Sequence, residues 1–131
     1  QCSVSVNAKD LATMAGTLAN AGKNPVSGKQ VMKSENVPEV LAVMATAGLY
    51  DDSGKWLYRT GLPGKSGVGG GIIAVSPGKF GIAVISPPLD EAGNSVRGRL
   101  ATAYLSRELG LNLLIVTALY VRVMVRQGET R

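Results

Sequence analysis

Gly61-Leu62-Pro63-Gly64-Lys65-Ser66-Gly67-Val68-Gly69-Gly70-Gly71, running directly into Ile72-Ile73-Ala74-Val75, is the stretch that decides the fold. The turn residues Ser76-Pro77-Gly78-Lys79 follow, and then a second apolar run, Gly81-Ile82-Ala83-Val84-Ile85. Short runs rich in β-branched residues on either side of a Pro-Gly turn predict a β-hairpin. The expectation is that residues 65–75 and 81–85 form adjacent antiparallel strands, with the turn at 76–79. Both runs are apolar on both faces, which predicts strands in the middle of a sheet with helices covering each side. Upstream, Asn7 can cap a helix with Asp10 at its third position and Leu11, Met14, Ala15, Leu18 and Ala19 on one face, ending at Gly22. A second helix is predicted from a Ser34 cap through Val40, Leu41, Val43 and Met44 to Gly48, each helix having about four turns. The run Trp56-Leu57-Tyr58 is short enough to be helix or strand. Downstream, a third helix is predicted over 94–109, capped by Asn94 or Ser95, and a buried or edge strand over 111–125. This order gives the α+β class, an antiparallel or mixed sheet packed with helices.

Composition narrows the function classes. The chain has 131 residues, of which 45% are hydrophobic, enough for one compact unit. Its formal charge is +5, from 14 Lys+Arg and 9 Asp+Glu. The basic residues are dispersed, with only Arg97/Arg99 and Arg122/Arg126 close together, and aromatics are few, so nucleic-acid binding is not expected. Cys2 is the lone cysteine and histidine is absent, which excludes an intrachain disulfide and a Cys/His zinc site and points to a reducing, cytoplasmic setting. Residues 111–125 are interrupted by Asn112 and Arg122 and fall short of the roughly 20 apolar residues of a membrane span. A chain that starts at Gln1 without a leader pattern is expected to be a piece of something longer.

Three readings compete for the glycine-rich segment. A phosphate-binding P-loop needs glycine where Arg59 stands and a helix where a strand is expected. A dinucleotide fingerprint starting at Gly67 needs glycine at Ile72. The third is the Lys-[Thr/Ser]-Gly element beside a serine acyl-enzyme site, as in β-lactamases and penicillin-binding proteins, and its strand context matches. Such a strand must offer a backbone N–H to a developing oxyanion, a cation and a hydroxyl to a substrate carboxylate, and glycines where ligand and backbone approach. Lys65, Ser66, the Val68 N–H and Gly67/Gly69 can fill those roles. The plainer reading of the tripeptide alone is a glycine-rich strand packed on a helix, with an exposed lysine.

Further motifs accompany it in order. Gln1-Cys2-Ser3-Val4-Ser5-Val6, Met14-Ala15-Gly16-Thr17-Leu18-Ala19-Asn20, Asn24-Pro25-Val26-Ser27-Gly28 and Gly48-Leu49-Tyr50-Asp51-Asp52-Ser53-Gly54 precede it, and Ser86-Pro87-Pro88-Leu89-Asp90-Glu91-Ala92-Gly93-Asn94-Ser95-Val96-Arg97-Gly98 follows. With these the chain resembles the glutaminase family of the serine β-lactamase-like superfamily, over residues 1–114. Residues 115–131 are left as a last strand or an atypical extension. The resemblance implies a β-lactamase/transpeptidase-like α+β fold, incomplete in this chain. It also implies hydrolysis of L-glutamine to L-glutamate and ammonia through an acyl-serine, with no cofactor or metal. A homo-oligomer is implied for the full-length enzyme, with no nucleic acid and no membrane as partners. Tyr50 corresponds to the tyrosine beside the catalytic serine, able to hold or relay a proton and to contact substrate. Val68 corresponds to the residue whose amide helps form the oxyanion hole and whose side chain lines the pocket. Lys65, Ser66 and Gly67 are further candidates. Asp90 is expected to hold the turn that launches the last helix.

The departures matter equally. The family's Ser-x-x-Lys nucleophile motif is expected outside these residues, as are an asparagine pair, a glutamate and a further tyrosine. Ser76-Pro77-Gly78-Lys79 has that spacing but falls in the predicted turn. Gly64 stands where alanine is common. The isolated chain is therefore expected to be inactive. The alternatives are a penicillin-recognising acyl-serine enzyme or a non-catalytic β-lactam-binding domain, which the Tyr50-Asp51 and Ser86-Pro87-Pro88-Leu89-Asp90 stretches disfavour, and a structural interaction module.

Overall fold

The computed structural model describes residues 3–115. Four helices and three strands follow the order α1 (Ala8–Ala19), α2 (Val37–Ala47), α3 (Ser53–Thr60), β1 (Gly64–Ser66), β2 (Gly71–Ser76), β3 (Phe80–Ile85) and α4 (Val96–Glu108). The class is α+β, with one antiparallel sheet in the order β1-β2-β3.

Helix α1 begins as its sequence dictates. The Asn7 side chain accepts from the amides of Lys9 and Asp10, and the Asp10 carboxylate accepts from the Asn7 amide, so a reciprocal capping box satisfies donors that the first turn leaves free. Ala15 and Ala19 are buried, whereas Met14 is exposed. Ser34 opens a 3₁₀ turn (Ser34–Asn36) instead of capping α2, which starts at Val37 with Pro38 in its first turn, where a missing N–H is harmless. With 12 and 11 residues, α1 and α2 have about three turns each, one fewer than expected. Trp56-Leu57-Tyr58 is helical, within α3. Its left-handed cap, Gly61 at φ +63, returns the chain to the sheet.

The expected hairpin is present as β2 and β3, joined through Pro77 and Gly78. The expected single strand over 65–75 is instead two strands. Residues 67–70 turn the chain back so that β1 pairs antiparallel with β2, Lys65 opposite Ile73 and Ser66 opposite Ile72. Local hydrogen bonding causes the break: Gly67 N donates to Gly71 O at 2.9 Å and Gly70 N to Gly67 O at 3.0 Å. Gly70 has φ +86, a conformation that a side chain disfavours. A run of glycines read as strand was turn chemistry.

Alternation along β2 builds the core on both faces. Ile72 and Ala74 pack with Leu49, Trp56, Leu62, Ile82 and Leu111. Ile73 and Val75 face the other way, toward Ala15, Ala19 and Met44 of α1 and α2. Gly81 lets α1 lie close on the sheet, because a Cβ there would come within 2.3 Å of the Gly16 amide nitrogen. β2 is thus the buried central strand. β3 is an edge among the described residues, with Phe80 and Ile85 exposed, where a central strand was expected.

The predicted strand over 111–125 is not formed in its described part. Leu111 is buried, and the Asn112 side chain accepts from the Leu114 amide, starting a helical turn over 113–115. The rest of that segment lies outside the described residues.

Candidate active site

Tyr50 begins a 3₁₀ turn (Tyr50–Asp52) between α2 and α3, and its backbone has φ +52. That left-handed conformation costs a non-glycine residue about 1–2 kcal/mol, so neighbouring contacts must hold it. Ser53 does part of this, since its hydroxyl accepts from Leu49 N at 2.9 Å and donates to Tyr50 O at 2.7 Å. Asn94, fully buried, donates from Nδ2 to Leu49 O at 3.1 Å, tying the turn to the start of α4. Tyr50 as a residue remains 46% exposed.

β1 lies directly beside this turn. Ser66 N donates to Gly48 O at 3.1 Å, so the end of α2 covers the strand's outer edge. Strand alternation then separates the two polar side chains. Lys65 is exposed, and its Nζ lies 4.8 Å from the centre of the Tyr50 ring, a cation–π contact worth about 0.5–1 kcal/mol at such a site. The same ammonium donates to the Ser66 carbonyl. Ser66 itself is buried, with its hydroxyl turned inward to Gly48 O at 3.5 Å.

The turn after β1 borders open space. A Cβ on Gly67 or Gly69 would meet nothing within 4 Å. The Gly67 amide is committed to Gly71 O, whereas the amide of Val68 makes no hydrogen bond among the described residues. Val68 itself is 71% exposed. An unpaired main-chain donor at an open turn, near a lysine that covers a tyrosine ring, is chemically suited to receive an anionic oxygen.

Two features were hidden in the sequence. Arg99, read only as half of a basic pair, bridges two carboxylates: Nη1 lies 2.6 Å from Asp52 Oδ2 and Nη2 lies 2.7 Å from Asp90 Oδ2. Asn94, read as an alternative cap, is a buried tether, while Ser95 caps α4 by accepting from Gly98 N. Charge in Asp51-Asp52 and Arg97/Arg99 was the only available signal, and it carries no pairing information. The Asp90 expectation is met, since Oδ1 accepts from Asn94 N at 2.9 Å.

A sheet in which β1 carries Lys65 and Ser66, with Gly67 opening the turn after it and helices packed on both faces, is a fragment of the serine β-lactamase-like fold. The glutaminase family model matches residues 1–114, and the chain belongs to the glutaminase family. A glutaminase of Bordetella avium is 64% identical over 113 residues, covering 86% of this chain and 36% of the relative. A solved structure described as a probable glutaminase superposes with a TM-score of 0.81 at 56% identity, covering 82% of this chain and 35% of that one. A Bacillus subtilis glutaminase, solved as the covalent complex formed by reaction with 6-diazo-5-oxo-L-norleucine, gives 0.78 at 33% identity over 82% of this chain and 39% of that chain. The chain thus spans about a third of the length of the relatives it matches.

Proposed function

We propose that this chain forms one wall of a glutaminase active site, and that the full-length enzyme hydrolyses L-glutamine to L-glutamate and ammonia through an acyl-serine. The observation that carries the reading is Lys65 lying over the Tyr50 ring. It places the Gly-Leu-Tyr-Asp and Lys-Ser-Gly motifs on one surface although 14 residues separate the pair in the chain.

In this reading the Val68 amide stabilises the oxyanion as the glutamine side-chain amide is attacked. The Tyr50 phenol, kept beside a cation, steadies or passes the proton that leaves with ammonia. Lys65 adds positive charge toward the substrate carboxylate, and Gly67 keeps the approach unobstructed. Ser66, with its hydroxyl held inward, shapes β1. The covalent adduct of the Bacillus subtilis relative supports nucleophilic chemistry, because 5-oxo-L-norleucine matches glutamine with a methyl group in place of the amide nitrogen.

The nucleophile comes from outside these residues. Ser76 and Lys79 bracket the β2–β3 turn, where Lys79 N donates to Ser76 O and Gly78 has φ +71, so they do not open a helix as a Ser-x-x-Lys nucleophile does. The isolated chain is accordingly inactive. The full-length enzyme is read as a cytoplasmic homo-oligomer without cofactor; among the described residues, no helix is long and apolar enough to cross a membrane.

Tyr50→Phe in the full-length enzyme tests the reading, since it removes one hydroxyl and keeps the ring under Lys65. The expected outcome is a loss of about 10²–10⁴-fold in kcat with KM for glutamine changed far less. Ammonia release near the normal rate at saturating glutamine would show Tyr50 to be structural.

A further inference from the structure

We infer that Arg99 is a positioning residue for Tyr50, acting through the carboxylates of Asp52 and Asp90. The inference rests on the catalytic reading of Tyr50 given above.

Asp52 closes the 3₁₀ turn that Tyr50 opens. Asp90 begins the tight turn that ends at Gly93, where Gly93 N donates to Asp90 O at 2.9 Å. A Cβ on Gly93 would stand 3.7 Å from Tyr50 Cε2, so this second turn lies against the tyrosine ring. Arg99, in the first turn of α4, reaches one carboxylate with each terminal nitrogen, at 2.6 and 2.7 Å. A closed path results. It runs from the Tyr50 backbone through Asp52, Arg99 and Asp90 to Gly93 and back to the Tyr50 ring.

Charge makes the bridge consequential. The three side chains are only 19–21% exposed, so little water screens them. Lys55 Nζ is a looser neighbour of Asp52 at 3.9 Å and is half exposed. Without Arg99, two sheltered carboxylates lose their shared cation, and repulsion acts between the two turns that embrace Tyr50. Ser53 and Asn94 still hold the backbone of the turn through uncharged hydrogen bonds. The predicted consequence is a displaced phenol in a folded protein. A lysine at this position has one ammonium and lacks the fork that spans both partners, so Arg99→Lys restores the bridge incompletely.

The experiment is a set of crossed variants in the full-length enzyme, assayed by ammonia release with kcat and KM determined separately. Arg99→Leu is expected to lower kcat about tenfold, with KM within about twofold of the parent. In a Tyr50→Phe background the same change is expected to cost nothing further, because the group it positions is already gone. Arg99→Lys is expected to fall between parent and Arg99→Leu. Asp52→Asn, which removes one charge at constant size, is expected to show the same non-additivity and serves if Arg99→Leu does not fold. Equal losses in both backgrounds would overturn the inference and leave Tyr50 as proposed. Normal turnover in Tyr50→Phe alone would overturn both.

Discussion

Replacing Gly64 by alanine adds one methyl group at the start of β1, where the structure leaves no room for it. The new Cβ would stand 2.7 Å from Trp56 Cε2 and Nε1 and 2.8 Å from Cζ2, whereas carbon atoms pack at about 3.5–4.0 Å. The indole must therefore retreat by roughly 1 Å. It is badly placed to do so, being buried in the cluster with Leu49, Leu62, Ile72 and Leu111 and donating from Nε1 to Leu62 O at 2.7 Å. Overpacking a filled core costs about 1–3 kcal/mol, and losing the indole hydrogen bond adds about 0.5–1.5 kcal/mol. The expected destabilisation is about 2–3 kcal/mol, read as a lower urea midpoint of the full-length enzyme with an unchanged slope. Trp56→Ala removes the obstructing ring, so Gly64→Ala should cost at least about 1 kcal/mol less in that background than in the parent, a coupling that separate effects do not give. An unchanged midpoint in Gly64→Ala, or strictly additive changes in the pair, would refute the reasoning.

Val68→Ala should leave kcat within about threefold of the parent, whereas Val68→Pro removes the proposed oxyanion donor and should lower kcat by about 10²–10³-fold. The Val68 amide makes no internal hydrogen bond among the described residues, so near-normal turnover in Val68→Pro, measured with glutamine, would remove the amide from the mechanism. The isolated chain should bind an apolar-surface dye and associate in solution, since a groove of about 780 Å³ lined by Val6, Met14, Leu18, Val26, Val31 and Val40 accompanies the exposed Phe80 and Ile85 of β3. A monodisperse chain without dye binding would count against the view that these faces are covered in the full-length enzyme.

Much of the fold was legible because its causes are local. The Asn7/Asp10 capping box, the β2–β3 hairpin around Pro77-Gly78 and the start of α4 at Asn94-Ser95 each involve residues within a few positions of one another. The misread elements were those in which local preference leaves two outcomes open. The Gly67–Gly70 segment suits either extended backbone or a turn, and the hydrogen bonds to Gly71 and Gly67 select the turn. Residues 113–115 suit strand by apolarity, but the Asn112 side chain caps a helical turn. At the site, motif order marked Tyr50, Lys65, Ser66, Gly67 and Val68, yet nothing in that order turned the Ser66 hydroxyl inward or set Lys65 over an aromatic ring.

Sequence by itself therefore determined the α+β class, the Asn7 cap of α1 and the β2–β3 hairpin, because side-chain chemistry acting over short separations fixes them, and the order of its motifs marked the family. Tertiary structure alone decided that Arg99 joins Asp52 to Asp90, that buried Asn94 holds the Leu49 carbonyl, and that Tyr50 takes a left-handed backbone. Each of these depends on which distant segments share a buried space. A charge, an amide or a tyrosine has many partners open to it in an extended chain, and only the closed packing of α4 against the turn after α2 selects one.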